Sequence, residues 1–204
     1  MNDEFQRLGH KASQQTCVHG ARIADDALSQ IVEAGLLAPT GRNLHPAELI
    51  VVREKEMLER LSHAKTGGSA LIASADAALV VVGDTTRSDT WVEDCSIMMA
   101  YMQLAAEELG IGNCWVQIRS RQSQTLLANG ENLPSNAFVR EALEIPEAYD
   151  VLAILALGES EETRAPHTAE DLDWSHVHDA LLLSVCSAQQ SPVSLKCVPI
   201  HAIV

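Results

Sequence analysis

The chain has 204 residues, 47% apolar and 21% charged, which is the length of one domain with a proper core and excludes disordered and collagen-like classes. Fourteen basic against 28 acidic residues leave a formal charge of −14. Such a field repels phosphate backbones and anionic lipid, which argues against nucleic acid and membrane as partners while leaving room for one local anion pocket.

In chain order, ADDALSQIVEAGLL (Ala24 to Leu37) sets Leu28, Ile31, Val32 and Gly35 on one face at helical spacing, with Asp25 and Asp26 at the positive N-terminal end. A first helix is predicted there, stopped by Pro39. ELIVV (Glu48 to Val52) predicts a short strand, Lys55 to Ala64 a surface helix, and Gly67-Gly68 a turn. AALVVV (Ala77 to Val82) is a continuous apolar run, as in a strand buried on both faces. Trp91, Cys95, Met98, Met102, Ala105 and Leu109 form a stripe, widened by Ile97, Met99 and Leu104, so Trp91 to Leu109 reads as a long central helix buried over most of its girth. Gly110 and Gly112 end it, and NCWVQI (Asn113 to Ile118) follows as a strand. Phe138 to Leu143 predicts a short helix before Pro146, and VLAILAL (Val151 to Leu157) a last strand stopping at Gly158. Helices and strands alternating around one sheet give an α/β or α+β domain, and aromatics at 3% require an aliphatic core.

Five cysteines (Cys17, Cys95, Cys114, Cys186, Cys197) without C-x-x-C spacing fit neither a disulfide framework nor a zinc knuckle, and point to a reducing cytoplasm. The polar start MNDEFQRLGHKASQQ carries no apolar signal stretch. Ser13 to Gly20 lacks periodicity, and Asp179 to Val204 is apolar apart from Asp179, Lys196 and a few polar residues. That tail is expected to pack on a partner subunit or to be poorly ordered.

The chemistry concentrates in LLAPTGRNLHP (Leu36 to Pro46). After Pro39, a hydroxyl (Thr40), a flexible backbone (Gly41), a planar cation (Arg42) and an amide (Asn43) follow one another. Such a loop suits a planar heterocycle with donor and acceptor edges, or a phosphate, although the composition also fits an ordinary loop.

From about Ile23 to His178 the order of these segments resembles the nitroreductase family of FMN-dependent oxidoreductases. APTGRNLHP resembles the family's A-P-[ST]-x-x-N-x-x-P loop, QLAAEELGIGNCWVQIR its long helix leading into a flavin-edge strand, and EIPEAYDVLAILALG its I-P-E strand. The resemblance implies a homodimeric α+β fold with a central, mostly antiparallel sheet, formed by one domain over residues 1–204 with residues 23–178 as the matching core. It implies FMN at the subunit interface, with hydride passing from NAD(P)H by way of the flavin to a small acceptor such as a nitroaromatic or quinone in a ping-pong scheme, where the flavin and not a catalytic side chain carries the chemistry. Thr40, Gly41, Arg42 and Asn43 then lie against the flavin and its ribityl-phosphate tail. Trp115, Val116, Gln117 and Ile118 form the strand beside the ring, with the amide of Gln117 directed at N5, and Arg164 is a candidate phosphate cation. Ser69 falls near a polar contact of the family.

Two departures bear on the flavin. The family's R-R-S-x-R-x-[FY] segment falls on Ser13 to Val18, which holds no arginine or lysine, and its G-Y-P is here Gly158-Glu159-Ser160. Arg22 or Lys11 are candidates to replace the missing contacts. A second reading therefore stands beside the enzyme: a family member that binds flavin weakly or not at all, as a flavin-binding or sensor protein without turnover. A metal cluster of His167, His176 and His178 with Asp171 and Asp173 is the lesser reading of a polar segment. Cys114 reads as a small buried residue, Met98, Met99 and Met102 as core, and Trp91 and Trp174 as packing anchors, with Trp115 the better candidate for cofactor contact.

Overall fold

The computed structural model describes residues 22–160, 165 and 167–177. Lys11, Ser13 to Gly20, Arg164, His178 and the tail from Asp179 lie outside the described residues, and so do the expectations placed on them. The chain divides after Pro166 into two compact units.

The first unit is built on a four-stranded sheet. Its elements are α1 (Asp25–Leu36), β1 (Ala47–Val52), α2 (Lys55–Ser62), β2 (Ala77–Asp84), α3 (Trp91–Glu108), β3 (Gly112–Gln117), β4 (Gln122–Leu126), β5 (Asn132–Pro134), α4 (Ser135–Ala142) and β6 (Tyr149–Gly158). The sheet order is β1-β2-β6-β3, every pair antiparallel, with β4 and β5 forming a separate hairpin. The two continuous apolar runs are the two central strands, as burial on both faces requires.

Alternate residues of those strands feed two cores. Ala77, Leu79 and Val81 face Leu28 and Ile31 of α1 and Cys95, Met99 and Met102 of α3. Ala78, Val80 and Val82 face Leu58 and Leu61 of α2 and Val139 and Ala142 of α4. Both cores are aliphatic, as the scarcity of aromatics demands. Leu152 is skipped in the pairing between Val81↔Ala153 and Val82↔Val151. This bulge puts Leu152 and Ala153 on the same face, and its consequence appears at the end of β3.

One expectation needs correction. The central helix α3 buries one side, with Asp94, Cys95, Met98, Met99, Met102 and Ala106 inside, whereas Ile97 and Leu109, both read as part of its buried girth, are exposed, as is Tyr101. The β4–β5 hairpin occupies a stretch without apolar alternation, which carries no strand signal of its own.

In the second unit, residues 167–177 form two 3₁₀ turns, Ala169–Asp171 and Trp174–His176. Thr168 and Asp171 cap the first reciprocally. The Ser175 hydroxyl and N–H both donate to Asp173, holding its carboxyl below the usual range. Trp174, read as an anchor, is half exposed. No three metal-ligating side chains meet among the described residues.

Candidate functional site

Strand directions bring the two sequence-predicted segments to one end of the sheet. Ala47, which follows the Thr40–Asn43 loop, pairs with Gly83 near the end of β2, and Gln117 pairs with Ala153, four residues from the Tyr149 start of β6 that pairs with Asp84. The loop rests on the first turn of α3, and Arg119, just past the strand segment, reaches the same turn. On one side the Gly41 N–H donates to Asp94 Oδ1 at 2.7 Å. On the other, the Arg119 guanidinium lies over the Trp91 ring, 5.8 Å from its centroid.

The loop is tightly determined. A Cβ on Gly41 would lie 2.7 Å from Thr90 Oγ1, so only glycine approaches α3 this closely. Arg42, Asn43 and His45 then hold φ of 53°, 57° and 47°, a left-handed region that costs about 1–2 kcal/mol for a residue with a Cβ, least for Asn. Contacts compensate: Arg42 pairs with Asp89, the His45 N–H donates to Thr40 Oγ1 at 3.1 Å, and His45 Nε2 lies 3.0 Å from Asn43 Oδ1. The side chains of Arg42 and Asn43 face solvent, where a ligand can reach them.

β3 is an edge strand, paired only with β6 among the described residues. Successive N–H groups of a strand alternate between its two edges. The Ile118 N–H donates to Leu152 O at 3.1 Å, so the Gln117 N–H points away from β6, along the open edge. The bulge at Leu152 ends the pairing there, because the Leu152 carbonyl accepts from both Ile118 and Arg119 and the chain turns off at Ser120, φ 59°. Trp115 and Gln117 share the α3 side, where Trp115 Nε1–H donates to Gln117 Oε1 at 2.8 Å, while Gln117 Nε2–H donates to Arg119 O at 3.2 Å. Val116 and Ile118 are buried in the opposite core, with α2 and α4, and offer a ligand only their backbone.

Other candidates fall elsewhere. Ser69 is fully buried, its Oγ 2.6 Å from Ser62 O and 3.2 Å from the Lys65 N–H it accepts, so it fastens a turn. Arg22 lies at the far end of the sheet, paired with Asp25 and lining a cavity of about 230 Å³ with Leu109, Gly158 and Glu159. Cys114 is buried, as read. Burial, and then the Asp94 charge, push the Cys95 thiol up to about 12, so it stays protonated and unreactive near neutral pH. At the site end, hydrogen bonds from the Thr86 hydroxyl and N–H hold the Asp84 carboxyl low, and donation to Glu48 raises Tyr149.

Sequence reasoning missed Asp89, Asp94 and Arg119. Asp94 had a signal: it stands four residues before Met98, inside the apolar face of a helix, where a bare carboxylate needs partners.

An antiparallel four-stranded sheet between two helical layers, with a close-docked loop and an open strand edge at one end, is the nitroreductase fold. The structure of an FMN-dependent nitroreductase from Clostridium difficile superposes with a TM-score of 0.80 at 34% identity, covering 87% of this chain and 99% of that one. The sequence profile of the nitroreductase family matches residues 58–159. A protein of Archaeoglobus fulgidus named for NADH dehydrogenase/NAD(P)H nitroreductase activity is 34% identical over 154 residues, 74% of this chain and 82% of its own. One of the same name from Methanothermobacter thermautotrophicus is 26% identical over 159 residues, 76% of each chain. The chain belongs to the nitroreductase family.

Proposed function

We propose that this protein is an FMN-dependent oxidoreductase that moves hydride from NAD(P)H by way of the flavin to a small acceptor such as a nitroaromatic or a quinone, in two alternating half-reactions. The observation that carries the reading is the outward Gln117 N–H on an open strand edge, at the same end of the sheet as the Thr40–Asn43 loop. A fixed donor of this kind suits the edge of a planar heterocycle whose electron density rises on reduction. The FMN dependence of the Clostridium difficile relative supports it.

When bound, FMN would supply the acceptance and donation of hydride, which is why the chain needs no nucleophile or triad. The chain's own work is binding and orientation. Gln117 N–H would meet the ring edge and Trp115 would offer an apolar surface beside it, while the buried Val116 and Ile118 side chains keep the strand in place. Thr40, Arg42 and Asn43 supply hydroxyl, cation and amide, Gly41 supplies the close-docked backbone that Asp94 holds, and Arg164 is a further cation for the phosphate. A second copy of the chain completes the reading: α1, the Leu37 that follows it and α3 leave Leu36, Leu37, Ile97 and Tyr101 exposed, an apolar set of the kind that a homodimer covers.

One observation favours the weaker-binding alternative. Arg42 is already paired with Asp89, and Ser13 to Val18 offers no cation, so the phosphate is held by few charges. Titration of the purified protein with FMN, followed by flavin fluorescence, decides between them. Equimolar uptake and bleaching by NADH or NADPH under argon are expected, and Arg42→Ala and Asn43→Ala should each weaken FMN about 10-fold or more. Protein that stays colourless in millimolar FMN overturns the enzyme reading and leaves the non-turnover one.

A further inference from the structure

We infer that Asp94 is a positioning residue, the buried anchor that sets the conformation of the Thr40–Asn43 loop for its ligand; the inference rests on the FMN reading above for the identity of that ligand. Asp94 is 2% exposed, in the first turn of an 18-residue helix whose positive end favours a carboxylate. Nothing about packing asks for a charge there, next to Cys95 and one turn before Met98 on the buried side of the helix. Its polar contacts all point toward the loop side. Oδ1 accepts the Gly41 N–H at 2.7 Å, and Oδ2 accepts from the Ser88 and Thr90 hydroxyls, each at 3.3 Å. Ser88 is itself buried, and Ser88 Oγ lies 3.0 Å from Thr90 Oγ1 while accepting the Thr90 N–H at 3.2 Å.

This is a reciprocal lock. The Ser88–Thr90 turn orients the carboxylate, and the carboxylate draws the Gly41 backbone against Thr90. The same turn carries Asp89, which holds the Arg42 side chain. Gly41 is the last loop residue before the left-handed pair Arg42 and Asn43, so fixing its N–H fixes the direction in which both functional side chains leave the backbone. A charge-assisted hydrogen bond to a buried acceptor is suited to that task, because losing it costs roughly twice what a neutral bond does.

The test reads the loop and the ligand separately. In Asp94→Ala, the Gly41 amide should exchange with deuterium about 100-fold faster than in the wild type, and FMN should bind about 10- to 100-fold more weakly. Asp94→Asn keeps an acceptor for Gly41 and donors for the two hydroxyls, and should restore both readouts to within a few-fold of wild type. If Asp94→Ala does not fold, Asp94→Ser, which keeps a polar group but cannot reach Gly41, should give the same losses. Unchanged Gly41 exchange in a folded variant overturns the inference, as does lost protection with FMN affinity intact. A wild-type protein that never takes up FMN overturns the flavin reading alone, and Asp94 is then decided by the exchange of Gly41.

Discussion

Replacing Arg53 by alanine should lower the free energy of unfolding by about 2–4 kcal/mol, because it strands a largely buried carboxylate. Arg53 follows β1 and gathers the start of α1. Its Nη1 donates to Asp25 at 2.7 Å, and its Nη2 to Asp76 at 2.6 Å and to the Ile23 carbonyl at 2.7 Å. Asp76 in turn accepts the Ile23 N–H at 3.0 Å. The two inner members are shielded, with side-chain exposures of 21% for Arg53 and 14% for Asp76, while Asp25 stands at 76%. Burial therefore predicts unequal effects. Asp25→Ala should change stability by no more than about 1 kcal/mol, as exposed pairs do. Arg53→Lys, which loses the fork that reaches three acceptors, should fall between the two. Urea unfolding measures all three, and an Arg53→Ala midpoint indistinguishable from wild type would show that the cluster contributes nothing net.

Neither the partners within this cluster nor those of Asp94 were legible in the sequence, and the reason is the same. Asp25, Arg53 and Asp76 are far apart in the chain, as are Gly41 and Asp94, and a charge pattern carries no information about partners that only the fold brings together. The strands were legible because burial on both faces imposes a local signature. Ala77 to Val82 and Val151 to Leu157 are apolar without interruption and occupy the two central positions of the sheet. Edge strands give a weaker signal, since β3 mixes Asn113, Trp115 and Gln117 on one face with Cys114 and Val116 on the other. The bulge at Leu152 has no signal at all: β6 reads as an even apolar run on either side of it. The left-handed backbone of Arg42, Asn43 and His45 was hidden because none of them is glycine. Arg42 and Asn43 stood out as loop chemistry; the strain that aims them did not.

A methyl group added at Gly83 should disturb the site more than the fold. Gly83 lies near the end of β2, between Ala47 and Asp150, and a Cβ there would fall 2.5 Å from Trp91 Cε3 and 3.1 Å from Cys95 Sγ. The ring has to move, and Trp91 opens the turn of α3 that carries Asp94 and supports Arg119. Gly83→Ala is thus expected to cost about 1–3 kcal/mol in stability, as overpacking does, and to weaken FMN binding as well. Gly35→Ala is the control. Its Cβ would meet Met102 Cγ at 2.7 Å, but a thioether chain adapts more easily than an indole, and alanine's helix propensity offsets about 1 kcal/mol. FMN affinity should survive at Gly35 and fall at Gly83, with both variants folded by circular dichroism. Coupling supplies the sharper measurement: Trp91→Leu makes room for the methyl, so the cost of Gly83→Ala should shrink in that background. Costs that simply add, or flavin affinity that tracks stability equally in both glycine variants, would mean that the end of the sheet and the first turn of α3 do not act on the site together.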